Sequence, residues 1–202
     1  MILVACAVGK ELAFLAPQPH VEMLVTGVGA VEATAAVSRA LAQGPYDLVI
    51  NAGIAGAFAN AAQIGDGVVV SDEFMELDIE TGDRIALPEN ARIIDRASSD
   101  LRLVDRLVEL GFSRVGGITV SRVTATDATA ERLTRYGAGI ETMEGFGVLR
   151  AAEIAGVPAI EVRGISNLVG DRARSGWNFT AGVAGLERVL NALLTSIGPL
   201  DG

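Results

Sequence analysis

The chain has 202 residues, half of them hydrophobic but only 4% aromatic, and a formal net charge of −9. That length suffices for one domain with a substantial core and no covalent staples, while the acidic balance excludes a general basic surface for nucleic acid. One Cys and one His exclude a disulfide framework and argue against an all-protein zinc site.

The first apolar run, ILVACAV at 2–8, reads as a buried strand with Cys6 in the core. Lys10 and Glu11 interrupt it, and without a basic leader it does not read as a secretory signal. His20 falls in a loop between Pro19 and Val21. VEMLVTG (21–27) predicts a second strand and AVEATAAVSRALAQ (30–43) a helix. Between them Gly27 and Gly29 faintly suggest a dinucleotide turn, but Glu32 stands where its third glycine belongs, and close strand-to-helix packing explains the pair equally well.

YDLVINAG (46–53) and GDGVVVSD (65–72) predict further strands. The stretch 74–100 is weakly patterned and is expected to wrap the surface or reach a partner subunit. A helix follows at SDLRLVDRLVELG (99–111), then strands at GGITVSRV (116–123) and GIETM (139–143), a helix at EGFGVLRAAEIAG (144–156), a strand at PAIEVRGIS (158–166) and a helix at VAGLERVLNALLTSI (183–197). This order predicts an α/β fold over residues 1–202: a single-domain, three-layer α/β/α arrangement around a central mixed, largely parallel twisted sheet. No stretch is long enough to cross a bilayer, so the expected location is cytoplasmic, and the glycosylation-like NFT at Asn178 carries no weight.

The sequence has no nucleophile elbow, no P-loop, and no partner set for its single His. Acid–base chemistry then falls to carboxylates and amides. Glu11 and Glu144 stand at strand-to-helix junctions, and Ser166 and Asn167 end another strand, which is where α/β folds gather their ligand sites. Each has a plainer reading: Glu144 as a first-turn acid favoured by the helix dipole, Glu11 as a solvated residue, Asn167 as a turn former.

GKELAFL, TGVGAVEA, INAGIAGAF followed by IGDGVVVSDE, ETMEG and VPAIEVRGISN occur in the order and spacing of the nucleoside phosphorylase and nucleosidase superfamily, which the chain resembles over nearly its whole length. Within it the resemblance is to the futalosine hydrolases, with the methylthioadenosine/S-adenosylhomocysteine nucleosidases as near relatives. It implies a nucleoside phosphorylase-like fold, a homo-oligomer, and hydrolysis of the N-glycosidic bond of futalosine to release hypoxanthine in menaquinone biosynthesis. No metal or organic cofactor is implied. Glu144 corresponds to the glutamate that holds the ribose hydroxyls, Met143 would lie beneath the sugar, and Glu11 corresponds to the acid that orients and deprotonates water.

Asn167 occupies the position of an aspartate in adenine-specific relatives, with Ser166 positioning it. A carboxyl suits adenine, whereas an amide complements a 6-oxopurine, its NH₂ meeting O6 and its C=O meeting N7–H. Phosphorylases carry an arginine and a serine around the segment containing Gly53; here those positions are Asn51 and Ile54, which disfavours a bound phosphate dianion. Gly53 and Ile54 are therefore read as substrate-binding. Relatives stack the base on a phenylalanine where this chain has Ala125, so that role is expected to fall to Thr124, Thr126 or a residue from elsewhere. Arg172, with Arg174 in reserve, is the expected partner of the substrate's aryl carboxylate, and Trp177 and Phe179 the apolar wall. The alternatives are an adenine-releasing nucleosidase, a purine nucleoside phosphorylase and, more distantly, a non-catalytic nucleoside-binding protein.

Overall fold

A computed structural model describes residues 1–77, 85–170 and 176–198. In chain order its elements are β1 (Ile2–Cys6), a 3-10 turn (Gly9–Leu12), β2 (Val21–Val25), α1 (Ala30–Gln43), β3 (Leu48–Ala57), β4 (Gly67–Met75), β5 (Arg96–Ser98), α2 (Leu101–Glu109), β6 (Ser113–Thr119), α3 (Asp127–Thr134), β7 (Ile140–Thr142), α4 (Gly145–Ala155), β8 (Ala159–Leu168) and α5 (Phe179–Ile197).

Alternation along β1 decides the layering. Ile2, Val4 and Cys6 point into a core completed by Val104 and Leu107 of α2 and by Leu186, Val189, Leu190 and Leu193 of α5. Leu3 and Ala5 point the other way, towards Ala33 and Val37 of α1 and Val148, Leu149 and Ala152 of α4. A strand buried on both faces reads as a continuous apolar run, and its two-residue period distributes that run between two helical layers.

The described strands form one mixed sheet of order β2-β1-β3-β7-β6-β4-β5, with β8 parallel to β3 and antiparallel to β4. That pairing closes β3, β7, β6, β4 and β8 into a ring, which leaves β2 and β5 as the edges of the described sheet. All five ring strands contribute to one small-residue cluster that includes Ala55, Val68, Val115, Ile140 and Ile165. Strand β8 also lies very close to α5: a Cβ on Gly164 would fall 1.9 Å from the Gly182 carbonyl oxygen and 2.5 Å from the Leu186 nitrogen.

Four local features differ from the sequence reading. Part of the weakly patterned 74–100 stretch forms β5, antiparallel to β4, while its residues 78–84 lie outside the described ones. A short helix, α3, occupies 127–134, capped by the Thr126 hydroxyl, which accepts from the Thr129 N–H at 3.2 Å. Strand β3 runs on past Gly53 to Ala57. Strand β8 does not stop at the polar pair but continues through Ser166 and Asn167 to Leu168.

Candidate active site

The extension of β8 is made with an irregularity. Ala55 pairs with Ile165 but Gly56 pairs with Asn167, so Ser166 is an extra residue on that strand. A bulge of this kind re-aims side chains locally, and here both Ser166 and Asn167 border a cavity of about 590 Å³, a size usual for small-molecule sites. The Ser166 hydroxyl donates to Asn167 Oδ1 at 2.9 Å, and Asn167 Nδ2 donates to the Leu168 carbonyl at 3.3 Å, which fixes the amide. Asn167 is thus a strand residue and not a turn former.

Glu11 and Glu144 line the same cavity, although they are 133 positions apart. The 3-10 turn brings Glu11 inwards, where its carboxylate accepts from the N–H of Val8 and of Ile54, each at 2.9 Å and each on a different oxygen. Glu144 stands at the N-terminus of α4 and accepts from the Gly29 N–H at 2.9 Å. Gly29 has φ 103°, a conformation that glycine adopts without strain, and it opens α1. The Gly27/Gly29 motif therefore anchors a carboxylate. Burial pushes the Glu144 pKa up, opposed by the positive charge of Arg163 and by the Gly29 hydrogen bond.

Behind the two acids lies a buried ionic group. Arg163 is 1% exposed, and its Nε donates to Glu161 at 2.8 Å. Burial alone would lower its pKa, but Glu161, Glu144 and Glu73 together hold it above the ordinary arginine value. Glu73 is fully buried and accepts from the Thr119 hydroxyl at 2.6 Å and the Thr142 hydroxyl at 3.0 Å; burial, with the charge of Glu161, raises its pKa well above normal. Three buried atoms of this group find no partner among the described residues: Asn51 Nδ2, Glu161 Oε2 and Arg163 Nη2. Cys6 is inert core, with burial, then Glu11, pushing its thiol up to about 12.

Of the other residues singled out from sequence, Met143, Ile54 and Trp177 border the cavity, Trp177 62% exposed and edge-on to Phe179 at 5.6 Å between centroids. Gly53 does not border it. A Cβ there would come within 2.4 Å of Arg163 Nη1 and 3.0 Å of Glu11 Oε1, so its missing side chain makes room for those two charged groups. Thr124 and Thr126 line a neighbouring cavity of about 500 Å³. Thr126 caps α3, the Thr124 N–H donates to Glu141, and the buried Thr124 hydroxyl has no hydrogen-bond partner among the described residues. Arg172 and Arg174 lie outside the described residues. The cavity also presents residues not singled out from sequence, among them Lys10, Val28 and Glu141. Glu141 could have been found as the one charged residue of the short strand β7, two positions before Met143.

A model of the phosphorylase superfamily matches residues 6–195. A futalosine hydrolase of Streptomyces coelicolor is 37% identical over 188 residues, covering 85% of this chain and 77% of the relative. One from Acidothermus cellulolyticus is 40% identical over 184 residues, covering 85% and 74%. Among solved structures, the futalosine hydrolase of Helicobacter pylori superposes with a TM-score of 0.81 at 15% identity, covering 96% of this chain and 97% of that one, which is a likeness of fold.

Proposed function

The chain belongs to the phosphorylase superfamily, and on that footing we propose that it hydrolyses the N-glycosidic bond of futalosine, releasing hypoxanthine and dehypoxanthine futalosine. The observation that carries the reading is the convergence of Glu11, Glu144 and Asn167 on one cavity, each held by a hydrogen bond that fixes its direction. Glu144 holds the ribose hydroxyls over Met143. As the bond from C1′ to N9 breaks, the sugar becomes an oxocarbenium and its electrons pass to the base. Water attacks C1′ and gives its proton to Glu11, whose two main-chain donors leave lone pairs for it. Asn167 meets O6 and N7–H of the departing base, so the purine leaves as a neutral lactam once solvent has protonated it.

Water is favoured over phosphate as the nucleophile. Ile54 presents an apolar side chain and has its N–H committed to Glu11, and three carboxylates line the cavity against the single Lys10 cation among the described lining residues. A dianion there would be desolvated without a matching fork of donors. Hypoxanthine release from futalosine should therefore run at the same rate with and without phosphate, as measured by chromatography of base and sugar products. A sugar 1-phosphate among them would make the enzyme a phosphorylase, and release of adenine only, from an adenine nucleoside, would make it an adenine nucleosidase.

The reading carries with it a cytoplasmic role in menaquinone biosynthesis and assembly as a homo-oligomer. Among the described residues no helix is long and apolar enough to cross a membrane. Val28 (54% exposed) and Trp177 at the cavity mouth are large apolar side chains of the kind that a second copy would cover. Light scattering should give at least twice the monomer mass, and a monomer at micromolar concentration would refute the assembly.

A further inference from the structure

We propose that Glu73, which is fully buried on β4 and does not border the cavity, is a positioning residue for Glu144: through the hydroxyls of Thr119 and Thr142 it caps helix α4, and so leaves the Glu144 carboxylate free to face the substrate. The inference takes the role of Glu144 from the hydrolytic reading above and rests on it. Glu144 is the N-cap residue of α4. A side-chain oxygen at such a position ordinarily turns back on its own helix and accepts from the second or third main-chain N–H. Glu144 makes no bond of that kind. Its carboxylate accepts instead from the N–H of Gly29, where α1 begins.

The first turn of α4 is satisfied from elsewhere. The N–H of Phe146, second in the helix, donates to the Thr119 hydroxyl at 2.7 Å, and that of Gly145, the first, donates to the Thr142 hydroxyl at 3.3 Å. A hydroxyl that accepts in this way still has a proton to place. Thr119 places its own on Glu73 Oε2 at 2.6 Å and Thr142 on Oε1 at 3.0 Å, with the two hydroxyls themselves 3.3 Å apart. Each oxygen of one carboxyl is thus tied through one hydroxyl to one helix N–H. Glycines make the space for it: a Cβ on Gly117 of β6 or on Gly145 would collide with the Glu73 carboxyl. Both threonines are buried, so these bonds form away from solvent, where a donor deprived of its acceptor is costly. Without Glu73 or the Thr119 hydroxyl, the first-turn N–H groups draw on the N-cap side chain, and Gly29 loses its partner.

Thr119→Val keeps the shape of the side chain and removes its hydroxyl, whereas Thr119→Ser keeps the hydroxyl. The Gly29 amide, followed by NMR and hydrogen exchange, reports the direction of Glu144 whatever the enzyme hydrolyses. In Thr119→Val and in Glu73→Met its resonance should shift and its exchange should quicken by about tenfold or more; in Thr119→Ser both should stay as in the parent. Turnover of futalosine supplies the second arm. Thr119→Val should lower kcat by about tenfold or more, because a misdirected group is lost to the transition state. Made on top of Glu144→Gln, the same substitution should cost less than about threefold, since the group it misdirects is already gone. Equal losses in the two backgrounds would make Thr119 merely structural and overturn the proposal, as would a Gly29 amide unmoved in Thr119→Val, even where Glu73→Met fails to fold. An unmodified enzyme that leaves futalosine intact would refute the hydrolytic reading instead, with the Gly29 amide still deciding whether Glu73 directs Glu144.

Discussion

Glu144→Gln should fold normally and lose about a hundredfold or more in turnover, with a comparable loss for Glu11→Gln. On the proposed mechanism both groups act chiefly where charge develops, so the deficit should lie in kcat and not in KM alone. Burial raises the Glu144 pKa, which fixes the pH behaviour. Its ionised form accumulates only above the ordinary glutamate value of 4.5, so kcat/KM of the unmodified enzyme should fall as pH drops through a window lying above that value. The residual rate of Glu144→Gln should lack this limb. Stability runs in the opposite sense: a carboxyl whose folded pKa is raised binds its proton more tightly in the folded state, so its contribution is intact below 4.5 and is lost as pH rises through the folded value. Glu144→Gln should therefore gain thermal stability over the parent towards neutral pH and show no such gain in acid. Turnover within a few-fold of the parent in a folded variant would remove Glu144 from the chemistry.

The largest expected loss of stability is at Arg163. Replacing it with Met removes the sole cation, among the described residues, of a group containing Glu161, Glu73 and Glu144, and stranding buried charge in this way costs about 3–5 kcal/mol. Removing Glu161 as well, in the double variant Glu161→Gln, Arg163→Met, should recover part of that loss, because replacement of both partners of a buried pair is far better tolerated than loss of one. Urea midpoints for the single and double variants decide the matter. A single variant within about 1 kcal/mol of the parent would mean that the surrounding carboxylates take up protons at little cost.

The layers were legible because apolar runs with a two-residue period, separated by helical patterns, leave few alternatives in a chain of this length. The ring was not legible: it depends on β8 pairing with β3 and β4 together, and nothing within PAIEVRGIS announces two partners of opposite sense. Helix α3 escaped notice because only Ala130 and Leu133 of its eight residues are buried, although Thr126 and Thr129 form a readable cap. Glu11 and Glu144 could be singled out by their strand-end positions and by resemblance. Arg163 shares a strand face with its direct partner Glu161, two positions earlier, but its further neighbours Glu73 and Glu144 reach it only when distant elements have come together.

Strand β8 has a further consequence for the way the molecule comes into being. It is the late arrival that joins β3 to β4, and it brings Arg163, Ser166 and Asn167 with it. While the ribosome has delivered residues only as far as α4, β3 and β4 present unsatisfied flanks, and Glu11 and Glu144 face a cleft with no cation behind them. The parallel pairing of Val49 with Ala159 closes a loop of more than a hundred residues, an entropic cost that local helices escape. Competence thus arrives in a single late event, and an interrupted nascent chain is an aggregation hazard before it is an enzyme.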